Sequence, residues 1–308
     1  MKIVTLTLNP AFDVHCFADN FKPYHETIAQ ITSIQAGGKG VNVSRALTTN
    51  GVENTAVIIV GTENGPEFCK ALEKDGLTVM PVWADGRIRE NITLHESDKP
   101  ETRISFTGFT CTDDILDSIR NCVGAIDHNT IITFTGSISG GMNVQPVLAM
   151  LSDFKAQGAK VVIDSRSVSL RELIEFKPWL IKPNKDEIEY YTNQFVNSVE
   201  DAAKIAAALF DKGIENVMIS LGGDGAVLVC AQGAFYADVP DISVVSTIGA
   251  GDSTIAGFID ATQKSYDIEN ALRRAIAYGT TACTREGTLP PLPATIHSLE
   301  KQIKISKL

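Results

Sequence analysis

The chain has 308 residues, of which 44% are hydrophobic and 21% are charged. A chain of this length buries roughly three quarters of its unfolded surface, so we expect a stable globular protein and not a disordered one. Its net charge of −10 provides no excess of cations to replace phosphate counterions, which argues against a nucleic-acid or acidic-membrane partner.

Targeting and metal-binding signals are not apparent in the sequence. Residues 1–8 lead directly into a strand-like pattern, unlike a signal peptide, and no segment reaches transmembrane length. The six cysteines are scattered without a C-x-x-C pair, which indicates neither a zinc site nor a disulfide framework. We therefore expect a cytoplasmic protein, and no linker divides residues 1–308 into separate domains.

The first third of the chain alternates apolar strand patterns with helical ones. Two β-rich stretches, at about 13–35 and 84–108, interrupt this alternation and predict a small accessory sheet, or lid. The remaining elements predicted here are a strand at 3–8, a helix from the loop at 36–40 through Leu47, a strand at 56–60, a helix at 66–74 and an extended segment at 77–82.

From Thr112 the pattern becomes a regular βα alternation, which predicts a mostly parallel sheet flanked by helices. The predicted strands are 131–134, 160–164, 179–182 and 216–221, with a hairpin at 226–230 and 234–239; the predicted helices are 112–123, 144–156, 184–191, 199–212, 253–263 and 268–283. Ligands of such sheets bind beyond the carboxyl ends of the strands. One cleft is therefore expected to collect the polar residues that follow predicted strands, namely Asn9, Asp13, Ser137, Asp164, Asn184 and Gly222.

The stretch from Ser246 to Phe258 indicates an active site. Glycines at 249 and 251 let the backbone turn tightly, and the following helix aims its unpaired N–H groups at the same place, which favours a bound phosphate. Asp252 lies beside that position, where a carboxylate can accept a proton from an attacking hydroxyl. The structural alternative is that the glycines only shape a loop and that Asp252 only complements the helix dipole.

The glycine-rich loop at 37–40 matches neither common nucleotide-binding motif. A P-loop requires glycine and a hydroxyl residue where Ser33 and Gly40 stand, and the dinucleotide fingerprint fails in every G-x-G window. What remains is a bare loop with Lys39 and Asn42 at the start of a helix, suited to a polyhydroxy or phosphorylated ligand. A tight turn with a solvated lysine is the structural alternative.

Five motifs in order resemble the ribokinase-like carbohydrate kinases over essentially the whole chain, and most closely their 1-phosphofructokinase and tagatose-6-phosphate kinase branch. They are Asn9-Pro10-Ala11-Phe12-Asp13, Ala36-Gly37-Gly38-Lys39-Gly40-Val41-Asn42, Lys182-Pro183-Asn184-Lys185-Asp186-Glu187, Ser220-Leu221-Gly222 and Thr247-Ile248-Gly249-Ala250-Gly251-Asp252. The resemblance implies a three-layer α/β sandwich with a β lid, ATP as phosphoryl donor, and magnesium.

The resemblance also implies roles for individual residues. Asp252 matches the catalytic base, and the amides of Gly249, Ala250 and Gly251 match the anion hole for the transferred phosphoryl group. Asn184 and Glu187 match an element that positions magnesium, although the same pair is also typical of a helix capping box. The implied nucleotide-binding residues are Lys182, Asn184, Ser220, Gly222, Gly223, Gly225, Thr247, Gly249, Gly251 and Ala277.

For the sugar phosphate, the resemblance implies a site between the lid and the loop at 37–40. Its matching residues are Asp13, Gly38, Lys39, Asn42, Arg89, Arg103 and Ser137. A guanidinium suits the phosphate that the sugar already carries, and Arg87 is a substitute for Arg89 or Arg103. An exposed strand arginine is the structural alternative at all three positions. Ser246 replaces an aspartate common in the wider family, which leaves potassium dependence open.

The resulting hypothesis is ATP-dependent phosphorylation of a ketohexose monophosphate. Fructose 1-phosphate is the first choice, followed by tagatose 6-phosphate and fructose 6-phosphate. The alternatives are a kinase of an unphosphorylated sugar or nucleoside and, from a different class, a non-catalytic sugar-phosphate sensor. Because the lid has edges and apolar residues such as Phe17, Ile92 and Leu94, a homodimer through the lid is expected.

Overall fold

Two β-sheets organise the protein in a computed structural model, which describes residues 1–97 and 99–308. The larger sheet has ten strands in the order β14-β13-β12-β11-β10-β9-β8-β1-β4-β5, and its neighbours are parallel from β11 to β5. Its strands are β1 Lys2–Thr7, β4 Thr55–Gly61, β5 Thr78–Ala84, β8 Thr130–Thr135, β9 Lys160–Asp164, β10 Leu180–Ile181, β11 Asn216–Ser220, β12 Ala226–Cys230, β13 Gly233–Ala237 and β14 Ile305–Lys307.

Helices cover both faces of this sheet. They are α1 Lys39–Thr49, α2 Gly65–Lys74, α3 Ile115–Val123, α4 Val144–Ala156, α5 Leu170–Phe176, α6 Lys185–Thr192, α7 Val199–Phe210, α8 Ala250–Gln263, α9 Ile268–Cys283 and α10 Pro293–Glu300. Successive strand residues enter opposite cores: Leu180 packs with α1, α8, α9 and α10, whereas Ile181 packs with α2 to α7. A sheet buried on both faces explains why its strands are continuous apolar runs, and the predicted three-layer architecture is confirmed.

The second sheet has four strands in the order β3-β2-β6-β7 and forms the lid. They are β2 Ala11–Phe17, β3 Gln30–Gly37, β6 Arg89–His95 and β7 Thr102–Ile104. These strands come from the two β-rich stretches noted in the sequence, and the predicted range 84–108 includes residue 98, which lies outside the described residues. In the described part of the chain, no helix is both long enough and apolar enough to cross a membrane.

Three elements of the structure were absent from the predicted set, namely α5, α10 and β14. Helix α5 is only seven residues long, although Ser169 and Glu172 form a complete capping box at its start. Strand β14 has three residues and forms by pairing with β13, about 70 residues earlier in the chain. Short elements that depend on distant partners leave little periodicity to detect.

A buried charge cluster joins α8, α9 and α10. Asp260 is fully buried, and its Oδ2 accepts hydrogen bonds from the Tyr278 hydroxyl at 2.7 Å and from Arg274 Nε at 2.6 Å. Lys264 Nζ lies 2.9 Å from Oδ1 of the same carboxylate, and Arg274 also contacts Glu300. Because a buried carboxylate is tolerated only when it is paired, this cluster fixes the far end of α8.

Replacing Asp260 with Ala is expected to lower the free energy of unfolding by about 3–5 kcal/mol, because it leaves the buried Arg274 cation with one carboxylate partner fewer. Urea denaturation followed by far-UV circular dichroism measures the loss. Glu269→Ala, at an exposed position of α9, serves as the control and should change the unfolding free energy by about 0.5 kcal/mol or less. A loss below about 1 kcal/mol for Asp260→Ala would contradict this role.

Candidate active site

The loop before α8 presents a cationic, amide-rich surface. Gly249 adopts a left-handed conformation, with φ +76°, and the first turn of α8 begins immediately after it. The amides of such a first turn have no acceptor within their own helix. A methyl group at Gly251 would lie 2.8 Å from the Lys182 ammonium, so this buried cation stands beside the loop. First-turn amides that lack an acceptor in their own helix, the helix dipole and a lysine together favour an anion here.

Asp252 lies in the third position of α8 and is 5% exposed. Its Oδ2 accepts a hydrogen bond from Asn42 Nδ2 at 2.9 Å, which joins α8 to α1. Burial raises the pKa of the Asp252 carboxyl to about 6, because removal from water disfavours the charged form; Lys39, Asn42 and Lys182 oppose that rise. A carboxylate with a pKa near 6 is well matched to accepting a proton at neutral pH.

An ion pair lies close to Asp252. Lys39 Nζ is 3.0 Å from Asp164 Oδ2, at the carboxyl end of β9, where Asp164 is only 7% exposed. Burial works against the charged form of Lys39, but Asp164 and Asp252 outweigh it and raise the pKa of the ammonium. Lys39 therefore stays charged at neutral pH between two carboxylates.

Alternation along the lid strands gives the lid two different faces. The register places Asp13 between Gln35 and Asn91, and it places His15 between Ser33 and Thr93, with Arg103 beyond Thr93. His15, Ser33 and Gln35 of this inner face line a cavity of about 710 Å³ together with Ser246, Thr247 and Ile248 of the loop before α8. The Asp13 carboxylate rests on the Gly37 backbone and accepts a hydrogen bond from Asn91 Nδ2 at 3.2 Å.

Arg89 also belongs to the inner face, but its guanidinium is partly engaged with backbone. It donates to the carbonyl oxygens of Pro10, Asn9 and Phe106 at 3.3, 3.2 and 3.0 Å. Burial lowers the pKa of the guanidinium, and the nearby Asp13 carboxylate partly offsets that effect. Since a guanidinium has five N–H donors, donors remain for a ligand.

Ser137 and Arg87 occupy contrasting surroundings. Ser137 Oγ accepts a hydrogen bond from Asn9 Nδ2 at 3.0 Å, so the ends of β1 and β8 are joined beside the loop at 37–40. Arg87, which was named as a substitute for Arg89, is exposed and pairs with Glu90 at 2.5 Å. These contacts place Ser137 near the cleft and Arg87 on the solvent side of the lid.

The predicted nucleotide side lies around the start of α6. Asn184 caps α6 and exchanges two hydrogen bonds with Glu187, at 2.8 and 3.1 Å, so the expected capping box is present. The other Glu187 oxygen accepts from Arg166 Nε at 3.1 Å. Asn184 forms a bridge to Ser220, which brings the loop Gly222–Gly225 to the same edge of the sheet. Ala277, on α9, is fully buried in the hydrophobic core.

The structure therefore brings together Asp252, Asn42, Lys39 and Lys182 from three separated segments, namely α1, the residue after β10 and the start of α8. Asp164 was predicted only to line that cleft, and its ion pair with Lys39 was not foreseen. Its signal in the sequence is an acidic residue that ends a buried strand, Lys160–Asp164. Arg45, which contacts Asn42, went unrecognised because an arginine in an amphipathic helix gives no such signal.

Comparison with known proteins supplies independent information. Residues 7–295 match the pfkB family of carbohydrate kinases. The chain is similar to the 1-phosphofructokinase of Vibrio cholerae, with 30% identity over 100% of this chain and 97% of that protein. It is also similar to the 1-phosphofructokinase of Bacillus subtilis, with 30% identity over 99% of this chain and 100% of that protein.

Solved structures agree with these matches. A protein from Staphylococcus aureus that is a candidate phosphofructokinase superimposes with a TM-score of 0.85 and 32% identity, over 99% of both chains. Phosphofructokinase-2 from Escherichia coli superimposes with a TM-score of 0.91 over 98% of this chain and 99% of that one. At 24% identity the latter likeness shows the fold alone.

Proposed function

The chain belongs to the pfkB family of carbohydrate kinases, and we propose that it transfers the γ-phosphoryl group of ATP to fructose 1-phosphate, giving fructose 1,6-bisphosphate. It is a sugar-phosphate kinase, since 1-phosphofructokinases match it over nearly its full length. The observation that carries the mechanism is the buried Asp252 carboxylate beside the amides at the start of α8. A sensor would need the pocket but would have no use for such a base.

In the proposed mechanism, Asp252 accepts the proton of the attacking sugar hydroxyl as that oxygen bonds to the γ-phosphorus, while the bond from that phosphorus to the β,γ-bridging oxygen breaks and ADP leaves. The amides of Gly249, Ala250 and Gly251 donate hydrogen bonds to the phosphoryl oxygens, and Lys182 adds positive charge at the same place. Asn42 holds the Asp252 carboxylate at 2.9 Å in the ionised form that accepts the proton. Fixed groups of this kind stabilise developing charge without reorganising during the reaction.

ATP and magnesium are assigned to the edge formed by Asn184, Ser220 and the loop Gly222–Gly225. Within residues 1–97 and 99–308, no three His, Cys, Asp or Glu side chains converge on a point that would hold a metal. The residues at this edge fit Mg²⁺ that is bound mainly through phosphate oxygens and water, with Glu187 as an outer partner. When bound with ATP, magnesium supplies positive charge to the phosphate oxygens; Lys39, Lys182 and the loop amides orient the same group.

The inner lid face is assigned to the sugar phosphate. Asp13 presents a carboxylate for sugar hydroxyls, and Arg103 lies on the same face, two residue rows away. Arg103 and the remaining donors of Arg89 would pair with the phosphate that the sugar already carries. Ser137, Gly38 and Asn42 complete the assigned substrate site from the opposite side.

The test is a coupled ADP-release assay with ATP and magnesium that compares fructose 1-phosphate, tagatose 6-phosphate, fructose 6-phosphate and free fructose at equal concentrations. The expected result is a clear preference for fructose 1-phosphate. Preference for another ketose phosphate would identify that compound as the substrate instead of fructose 1-phosphate. Preference for free fructose would indicate that the lid arginines have a structural role. Binding of sugar phosphate without any ADP formation would favour the sensor instead.

The outer lid face supports a second part of the proposal, a homodimer. One row of directly paired residues is Ile34, Val14, Ile92 and Ile104, and the next is Ile31, Cys16 and Leu94. Ile31, Ile34 and Ile104 are 58%, 57% and 48% exposed. Val14 and Cys16, on the central strand β2, are only 6% and 8% exposed, so the exposed apolar surface is that of the edge-strand isoleucines. A second copy of the same face is the proposed partner for this surface.

Replacing Ile34 with Arg is expected to convert the dimer into a monomer, because it places a cation at the exposed end of an apolar row. Size-exclusion chromatography with light scattering measures the mass. Tyr190→Arg changes a more exposed aromatic residue on α6, outside the lid, and should leave the mass unchanged. A wild-type protein that is monomeric at micromolar concentration would refute the proposed interface.

A further inference from the structure

A buried arginine lies directly behind the residue that holds Asp252. Arg45 follows Asn42 by three positions on α1, so both side chains project from the same side of the helix. The Arg45 residue is 6% exposed, and its Nη1 lies 3.4 Å from Asn42 Oδ1. The chain of contacts therefore runs from Arg45 through the Asn42 amide to Asp252 Oδ2.

The Asn42 amide has two ends of nearly equal size and opposite polarity. Its NH₂ group attracts the Asp252 carboxylate, whereas its carbonyl oxygen would repel it. Arg45 carries only donors, so it tolerates the carbonyl oxygen at its own end and repels the NH₂ group. Although 3.4 Å is long for a hydrogen bond, the charge of the guanidinium acts at this distance in a buried setting.

Arg45 is itself held from two sides. Its Nη2 donates to the Ala36 carbonyl at 2.6 Å, at the end of lid strand β3, and its Nε donates to Asp75 Oδ2 at 3.0 Å, just after α2. On this outer side there is a cavity of about 630 Å³, lined among others by Lys70, Lys74 and Asp75. Of the three side-chain hydrogen bonds of Arg45 within the described residues, the one to Asn42 leads to the catalytic centre.

We propose that Arg45 is a positioning residue that keeps the Asn42 amide turned with its NH₂ group toward Asp252. This inference rests on the proposed function, in which Asp252 is the base. Without Arg45 the amide samples the reversed orientation, and the hydrogen bond that favours the ionised carboxylate is lost for part of the time. The pKa of Asp252 then rises, because burial is less well opposed.

The first experiment measures kcat/KM against pH for Arg45→Met. The acid limb should move upward, so that kcat/KM falls about threefold to tenfold at pH 6 but by less than about twofold at pH 8. Arg45→Lys, which keeps a donor-only cation, should recover part of the shift. Lys70→Met removes an exposed cation from the same cavity and should leave the profile unchanged.

Asp75→Asn provides a milder variant in case Arg45→Met fails to fold. Asp75 is 45% exposed, so its loss should be tolerated, and it loosens Arg45 without removing it. A smaller shift of the acid limb in the same direction is expected. An unchanged profile in Asp75→Asn, together with an unchanged profile in Arg45→Met where that variant folds, would refute the proposal.

A double-mutant cycle separates positioning from a general structural effect. In an Asn42→Ala background, Arg45→Met should shift the acid limb no further, because the amide through which Arg45 acts is gone. An equal shift in both backgrounds would contradict the proposal, since it would mean that Arg45 acts on Asp252 by another route.

A measurement independent of turnover distinguishes failure of this inference from failure of the proposed function. The Asp252 carboxyl carbon, identified by its loss in Asp252→Asn, can be titrated by ¹³C nuclear magnetic resonance in the absence of substrates. Its pKa should be higher in Arg45→Met than in the wild-type protein. If that shift occurs while no sugar phosphate is phosphorylated, only the proposed function fails; if turnover is normal and the carboxyl titrates unchanged, only the Arg45 role fails.

Discussion

Replacing Asp252 with Asn is expected to lower kcat for fructose 1-phosphate by about 10²–10⁴-fold, the usual contribution of a positioned general base. The amide keeps the shape of the side chain and its contact with Asn42, but it cannot accept the hydroxyl proton. The KM values for ATP and sugar should change much less, since the anion-binding amides remain. Steady-state ADP release at pH 7.5 measures both parameters.

The control for this variant is Asp201→Asn. Asp201 occupies the same third position of α7 that Asp252 occupies in α8, so it interacts equally with a helix dipole. Activity should be unchanged in Asp201→Asn. If Asp252→Asn retained more than about a tenth of wild-type kcat, Asp252 would be a helix-terminal acid and not the base.

Asp252→Asn is also expected to stabilise the protein at neutral pH. Burial raises the pKa of Asp252 from 3.8 to about 6 in the folded state, so an ionised carboxylate is disfavoured in the fold above pH 6. A shift of about two units corresponds to about 3 kcal/mol, and a gain of about 2–3 kcal/mol is expected for Asp252→Asn at pH 7. The gain should shrink as pH falls through 6 and vanish below about pH 3, where the wild-type carboxyl is protonated in both the folded and the unfolded states.

Replacing Lys182 with Met is expected to lower kcat/KM for ATP by about 10²–10³-fold, comparable to the loss of one oxyanion-hole donor. Lys182 is 4% exposed, and its ammonium stands beside Gly251 at the anion loop. Methionine preserves most of the apolar length of the side chain, so folding should persist. Its loss also removes a charge that opposes the raised pKa of Asp252, which should move the acid limb of the pH profile upward.

Lys185→Met tests whether any lysine of this segment matters in the same way. Lys185 is exposed at the start of α6, three residues after Lys182, and should tolerate the change with kinetics close to wild type. If the two variants had similar kinetics, Lys182 would have no specific role at the anion loop.

The main sheet could be predicted from the sequence because its strands are buried on both faces. Strand β9, Lys160–Asp164, was predicted with the observed bounds, and the βα rhythm after Thr112 identified the parallel order. Apolar runs separated by amphipathic helices are a local signal, which can be recognised in a single sequence. Strand β10 was predicted two residues too long, because only Leu180 and Ile181 of the segment at 179–182 pair with neighbouring strands.

The site was predictable in its parts and less so in its pairings. Glycines and an aspartate in one motif pointed to the anion loop, since only a tight turn before a helix uses that combination. The ion pair of Lys39 with Asp164 joins residues 125 positions apart, and the contact of Arg45 with Asn42 gains meaning only once Asn42 is seen to reach Asp252. Such relations arise from tertiary packing, which residue spacing does not encode.

The two-faced lid has a consequence for how this chain can diverge. Along β2, Asp13 and His15 belong to the polar face, whereas Val14 and Cys16 belong to the apolar one. Inserting or deleting a single residue within β2 would exchange the two faces at once, because side chains alternate with a period of two. Length variation during evolution is therefore expected in the connection at 18–29 and not within the strands that flank it.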